Sequence, residues 1–103
     1  MDYSGKVVAI TGGARGIGLA MARAFHGRGA KIALADLDGA EQAAAEFGGY
    51  GARVDVTREA DIAAFLIQTE ERLGPVDIYV SNAGILRTPE RTTKPGMTRL
   101  RSM

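Results

Sequence analysis

The eight residues TGGARGIG, Thr11 to Gly18, constrain this chain more than any other stretch. They follow the β-branched run KVVAIT (Lys6–Thr11) and precede IGLAMARAFHGRG (Ile17–Gly29), which is helical in pattern. Ile17, Ala20, Met21, Ala24 and Phe25 fall on one side of that helix. Glycines at a strand-to-helix turn let the backbone double back tightly. They also bring the N–H groups and positive dipole end of a helix close to an anion such as a phosphate. The spacing is Gly12, three residues, Gly16, one residue, Gly18. The commoner G-x-G-x-x-G pattern would start at Gly16 and require Gly or Ala at position 21, where Met21 stands. A glycine-rich turn with no ligand is the competing reading.

The same alternation continues. KIALAD (Lys31–Asp36) reads as a second strand, and Gly39 to Phe47 as an Ala/Glu-rich helix closed by Gly48-Gly49. YGARVDV (Tyr50–Val56) is a weaker third strand. Thr57 is placed to cap a helix running to about Leu73, with Ile62, Phe65, Leu66, Thr69 and Leu73 on one face. Gly74-Pro75 stops it, and VDIYVSNAG (Val76–Gly84) is the fourth strand. A βαβαβαβ order predicts a parallel sheet with helices on both faces.

Asp36 closes the second strand, 18 residues past Gly18, near the roughly 20-residue offset at which a carboxylate meets an adenosine ribose. A carboxylate there accepts from the ribose hydroxyls and repels a 2′-phosphate, which favours NAD over NADP. Arg15, inside the glycine loop, is a cation that could pair with such a phosphate, and Asp36 could be only a turn former at a strand end.

Taken together, TGGARGIG, Asp36, Asp55-Val56 and Asn82-Ala83-Gly84 resemble the short-chain dehydrogenase/reductase family, in the expected order over about residues 4–86. The resemblance implies an α/β fold with a Rossmann-type doubly wound parallel sheet, here of about four strands in the order 3-2-1-4. It implies NAD(P)-dependent exchange of hydride between an alcohol and a ketone. Gly12, Gly16 and Gly18 would then line the pyrophosphate, with Arg15 and Ile17 contributing loop contacts. Asp36, followed by Leu37, would meet the adenosine ribose, and Asp55 with Val56 the adenine. Asn82, Ala83 and Gly84 would border the cofactor cleft.

The family's chemistry also needs a serine, a tyrosine and a lysine four residues after the tyrosine, gathered over the nicotinamide. The tyrosines are Tyr3, Tyr50 and Tyr79, and four residues on stand Val7, Val54 and Ala83. No catalytic residue is therefore assigned, and the chain by itself is expected to be inactive. Two functional classes stay open: the cofactor-binding part of a family enzyme, and a non-catalytic dinucleotide-binding fragment or decayed gene product.

Charge divides the chain near Leu86. Residues 1–86 hold 8 Lys/Arg and 11 Asp/Glu, whereas residues 87–103 hold 5 and 1. The expected organisation is a dinucleotide-binding half-domain over 1–86 and an atypical basic tail over 87–103, disordered in isolation. The tail lacks the aromatics and docking element of a nucleic-acid arm, so no nucleic-acid partner is assigned. In the family, W-D-x-x-x-x-V-N often follows the fourth strand. Rereading the tail from the third nucleotide of each codon allows Trp at Pro95/Gly96 and Asp at Gly96/Met97, requires Asp at Met97/Thr98, and allows Val at Arg101/Ser102 and Asn at Ser102/Met103, giving W-D-D-x-x-x-V-N. The tail is thus expected to be a frameshifted remnant, with an unrelated C-terminus as the alternative; a Pro95 codon other than CCT excludes the frameshift. The helices on which the family builds its oligomers are not found in these residues, so a family-type oligomer is not expected.

A cysteine count of zero excludes disulfides and thiolate metal sites, and His26 as sole histidine excludes a multi-histidine site. No secretory leader or membrane-length apolar run is read, so a cytoplasmic location is expected.

Overall fold

The computed structural model describes residues 2–82. Within them four strands and three helices alternate: β1 (Val7–Thr11), α1 (Gly16–His26), β2 (Lys31–Asp36), α2 (Ala40–Ala45), β3 (Tyr50–Arg53), α3 (Glu59–Leu73) and β4 (Ile78–Ser81). All strand pairs are parallel and the order is β3-β2-β1-β4, the doubly wound arrangement expected from the alternation. Ala83-Gly84, read from the sequence as the end of the fourth strand, and the basic residues 87–103 lie outside the described residues.

β1 is central and buried along its whole length, because helices cover both faces of a parallel sheet. Val8, Ile10, Ile32 and Leu34 face α1 and α2, packing with Ala22, Ala40 and Ala44. Ala9, Ala33 and Ala35 point the other way, where Phe65 of α3 and Val54 complete a second core. Small side chains on that face let α3 approach, and Phe65 supplies the bulk. The Phe65 ring stacks on Tyr50 with centroids 6.1 Å apart, and Arg72 covers the outer face of Tyr50 at 4.7 Å.

The register of β4 is held at both ends. At its start the Asp77 carboxylate accepts from Val7 N–H at 2.8 Å, while Asp77 N–H donates to the Val7 carbonyl at 2.9 Å. At its end Asn82 N–H donates to the Thr11 carbonyl at 3.2 Å. Among the described residues β4 is an edge strand. Ile78 and Val80 are half-buried against the α1/α2 core, and Tyr79 and Ser81 are exposed on the opposite face.

Two expectations need correction. The buried side of α1 is not the one drawn through Ile17, Ala20 and Ala24. Gly18 and Ala22 are buried, Met21 and Phe25 flank them, and Ile17 is 72% exposed. The helix presents the small residues Gly18 and Ala22 to the sheet so that its start can sit close to β1, and contact distance overrides the apolar count. Thr57 does not cap α3 either. Arg58 holds the cap position without a side-chain bond. Both the Thr57 N–H (2.9 Å) and its hydroxyl (2.6 Å) donate to Asp55 Oδ1, making a turn that competes with a cap. Asp61, in the first turn of α3, instead accepts from Asp55 N–H at 3.1 Å.

Candidate functional site

In a doubly wound sheet the chain diverges between the first strand and the strand that reverses the order, here between β1 and β4. The crevice at the C-terminal ends of those strands is where such sheets receive ligands. The glycine loop leaves β1 at this point, and Asn82 leaves β4 beside it.

The loop is held by its own backbone. Gly12 and Gly13 N–H groups donate to the Ala35 carbonyl at 2.7 and 3.2 Å, tying the loop to β2. Gly16 has φ +61°, a left-handed conformation that disfavours a side chain, and a Cβ there would meet nothing within 4 Å. The outer side of the loop is therefore open. Gly18 is the opposite case. A Cβ would be driven into the Gly12 carbonyl oxygen and would lie 2.9 Å from Asn82 Nδ2. The first turn of α1, the loop and Asn82 thus meet where only a hydrogen fits. Asn82 N–H also donates to Thr11 Oγ1 at 3.2 Å, and Asn82 Nδ2 lies 3.5 Å from the Gly12 carbonyl. Arg15 is exposed at the cap position of α1, and Ile17 stands out from its first turn.

Asp36 reaches across to the same loop. Its Oδ2 accepts from Ala14 N–H at 3.0 Å, and its Oδ1 accepts from Leu37 N–H at 2.8 Å. Each carboxylate oxygen has about two acceptor sites, so one on each oxygen is left for another donor. Leu37 is 52% exposed beside it. Beyond lies a shallow cleft of about 160 Å³, lined by residues 36–42, among them Asp36, Asp38 and Glu41, and by Arg53.

Asp55 and Val56 follow β3 at the same end of the sheet, because Val54 N–H donates to the Asp36 carbonyl at 3.0 Å. The Thr57 hydroxyl, with help from its N–H, holds the Asp55 carboxyl below its ordinary value, and Arg58 and Arg53 act in the same direction. Val56 is half-buried against the α3 side of the core.

The residues singled out from sequence and described by the structure thus gather at the C-terminal ends of the parallel strands: Gly12, Arg15, Gly16, Ile17, Gly18, Asp36, Leu37, Asp55, Val56 and Asn82. Ala83 and Gly84 lie outside the described residues. Sequence reasoning missed the Ala14 N–H that engages Asp36. It also missed Thr11, which is fully buried and shares its hydroxyl with the end of β4. A threonine opening the glycine run was the available signal. Arg53 was missed as well; only its pairing opposite Asp36 brings it to the cleft.

Tyr79 is the tyrosine nearest this end of β4. Removal of water by its neighbours pushes its phenol up from the ordinary value, against hydrogen bonds with Thr11 and Ser81 that lower it. That is the wrong direction for a phenol meant to give up its proton near neutrality.

The short chain dehydrogenase family model matches residues 6–99, past the boundary near Leu86 where the quoted motifs end. L-fucose dehydrogenase from Oryctolagus cuniculus is 45% identical over 104 aligned residues, covering 95% of this chain and 37% of that protein. 3-beta-hydroxysteroid dehydrogenase from Comamonas testosteroni is 43% identical over 86 residues, covering 80% of this chain and 34% of that protein. Galactitol 2-dehydrogenase from Agrobacterium fabrum is 44% identical over 89 residues, covering 82% and 35%. This chain therefore spans little more than a third of the length of these relatives.

Proposed function

Because the chain belongs to the short-chain dehydrogenase family, we propose that it is the dinucleotide-binding part of an oxidoreductase, taking NAD in preference to NADP. One observation carries the reading: the Asp36 carboxylate is hydrogen-bonded to the Ala14 N–H of the glycine loop. A group suited to a ribose and a loop suited to a pyrophosphate are thereby held as one unit at the sheet's topological switch point.

The residues fit such a cofactor. Gly12, Gly16 and Gly18 would hold the pyrophosphate: backbone donors gather there, and the Gly16 side of the loop is open. Arg15 adds positive charge at the start of α1, and Ile17 and Leu37 offer exposed apolar surface. Asp36 keeps two acceptor sites, which suits a pair of ribose hydroxyls. Asp55 and Val56 would approach the adenine, and Asn82, with Ala83 and Gly84 after it, would border the nicotinamide side. Asp36, Asp38 and Glu41 outnumber Arg53 in the cleft next to the ribose position, which disfavours an added 2′-phosphate dianion. When bound, the nicotinamide supplies the hydride donor or acceptor for an alcohol–ketone pair.

No Tyr-x-x-x-Lys occurs in the sequence. We therefore assign the 103 residues binding and no turnover of their own, in a cytoplasmic setting that suits a cysteine-free chain. The relatives' names span a sugar, a steroid and an alditol, so the substrate is left as an alcohol or ketone.

Titration of the chain with NADH, followed by nicotinamide fluorescence, should saturate. D36A should weaken that binding, since it removes both the ribose acceptor and the partner of Ala14. Failure of NADH to bind would sink the proposal. Oxidation of any alcohol in a panel by the pure chain would sink the assignment of no turnover.

A further inference from the structure

From the pairing of β2 and β3 we infer that Arg53 sets how strongly this site discriminates between NAD and NADP, acting as the cation that a 2′-phosphate would meet. The inference rests on the dinucleotide reading above and adds a residue that neither the motifs nor Asp36 alone reveal.

Parallel neighbours in register point their side chains to the same face of the sheet. Asp36 pairs with Arg53 in that register. The face they share is the one on which Ile32 and Leu34 pack against α1 and α2, since Asp36 continues the same alternation along β2. One step before Arg53 on this face is Gly51, which pairs with Leu34. A Cβ at Gly51 would run into the Ala40 carbonyl. The start of α2 therefore lies directly on β3, and the first position past that contact with room for a long side chain is Arg53. Arg53 is exposed, lines the cleft with Asp36, Asp38 and Glu41, borders a second hollow with Tyr50, Asp61 and Phe65, and acts on the Asp55 carboxylate. The cleft includes Arg53 and not Arg15, the cation that the sequence places within the glycine loop.

A ribose held by Asp36 would place its 2′ position at the cleft that Asp36, Asp38, Glu41 and Arg53 line. Three are carboxylates and repel a phosphate there; Arg53 alone offsets them. A guanidinium also matches the oxygens of a phosphate in geometry and keeps its charge at every accessible pH. The 2′-hydroxyl of NAD carries no charge, so loss of the guanidinium should matter much less for that cofactor. Arg53 thus acts on the difference between the two cofactors rather than on their common part.

The test compares wild type, R53Q and R53K, each titrated with NADH and with NADPH at low and high salt. R53Q should lose on the order of ten-fold in NADPH affinity at low salt, with NADH held within about two-fold, as expected for one unit charge near a dianion in a partly solvated cleft. R53K should retain most of the wild-type ratio, and the R53Q effect should shrink at high salt. Equal losses for both cofactors would overturn the inference, assigning Arg53 to the common part of the ligand or to the fold. An unchanged ratio would overturn it too, while leaving the dinucleotide reading intact. Absence of NADH binding by the wild-type chain would remove both readings, so the two failures are distinguishable.

Discussion

Replacing Gly18 by alanine tests the central geometric claim about the glycine loop. Judged only as a helix residue, the change should help, by about 1 kcal/mol. The structure requires the opposite. The added methyl would lie 2.9 Å from both the Gly12 carbonyl carbon and Asn82 Nδ2, and nearer still to the Gly12 oxygen. A comfortable carbon–carbon separation is about 3.5–4.0 Å, so backbone must move by roughly 1 Å. Gly12 cannot yield cheaply, because its N–H is bonded to the Ala35 carbonyl at 2.7 Å. Overpacking of this kind costs about 1–3 kcal/mol, leaving a net loss of up to about 2 kcal/mol after the propensity gain. For a domain of this size each kcal/mol corresponds to about 4–8 °C in Tm. Thermal unfolding followed by circular dichroism reads the first effect. NADH titration reads the second, since the displaced loop is the proposed pyrophosphate cradle and its affinity should fall more than stability does. Gly16→Ala is the companion: it meets no atom and carries only the left-handed penalty of about 1–2 kcal/mol. A G18A chain that melts higher than wild type and binds NADH unchanged would refute the close approach of α1, loop and Asn82.

Three further outcomes follow from other parts of the molecule. Phe65→Ala empties the core beneath α3 and removes the stack on Tyr50; it should cost about 3–5 kcal/mol in urea unfolding, enough to take a small domain to the edge of folding. Gly51→Ala pushes on the α2 backbone at Ala40 and Glu41, and should lower stability by about 1–3 kcal/mol in the same assay. Asp55 has its folded pKa lowered from the ordinary 3.8, first by the Thr57 hydroxyl. Its contribution is therefore complete above about 3.8 and disappears as pH falls through the lowered folded value. Thr57→Val should raise the Asp55 pKa toward 3.8 in an NMR carboxyl titration and shrink that window; an unchanged Asp55 titration would count against the turn.

Much of this architecture is legible in the sequence. β1, β2 and β4 carry β-branched or alanine-rich runs, α1 and α3 have apolar residues at helical spacing, and glycines mark most of the joints. Once the strands are known to be parallel and joined by right-handed crossovers, few sheet orders remain. What stayed hidden depended on distance rather than on pattern. Ile17 looks like core because it is apolar and at the right interval, yet it is left exposed because Gly18 and Ala22 bring the helix closer. Thr57 looks like a cap, yet its N–H and hydroxyl close a turn onto Asp55 and the helix starts one residue later, with Arg58 at the cap position. The origin of the tail after Leu86 is a question for the coding DNA, at the Pro95 codon.

By itself, then, the order of residues determined the alternation of strands and helices and the chemistry available at each strand end: glycine backbone, then carboxylates at Asp36 and Asp55, then an amide at Asn82. These are local properties, set by side-chain type and spacing along the chain. Only the tertiary structure decided which groups share a space. Asp36 meets the Ala14 N–H across 22 residues, Asn82 meets Thr11 across 71, and Arg53 comes to face Asp36 through strand register. Such pairings follow from how closely helices and strands can pack, and packing distance is a property that no single segment of sequence carries.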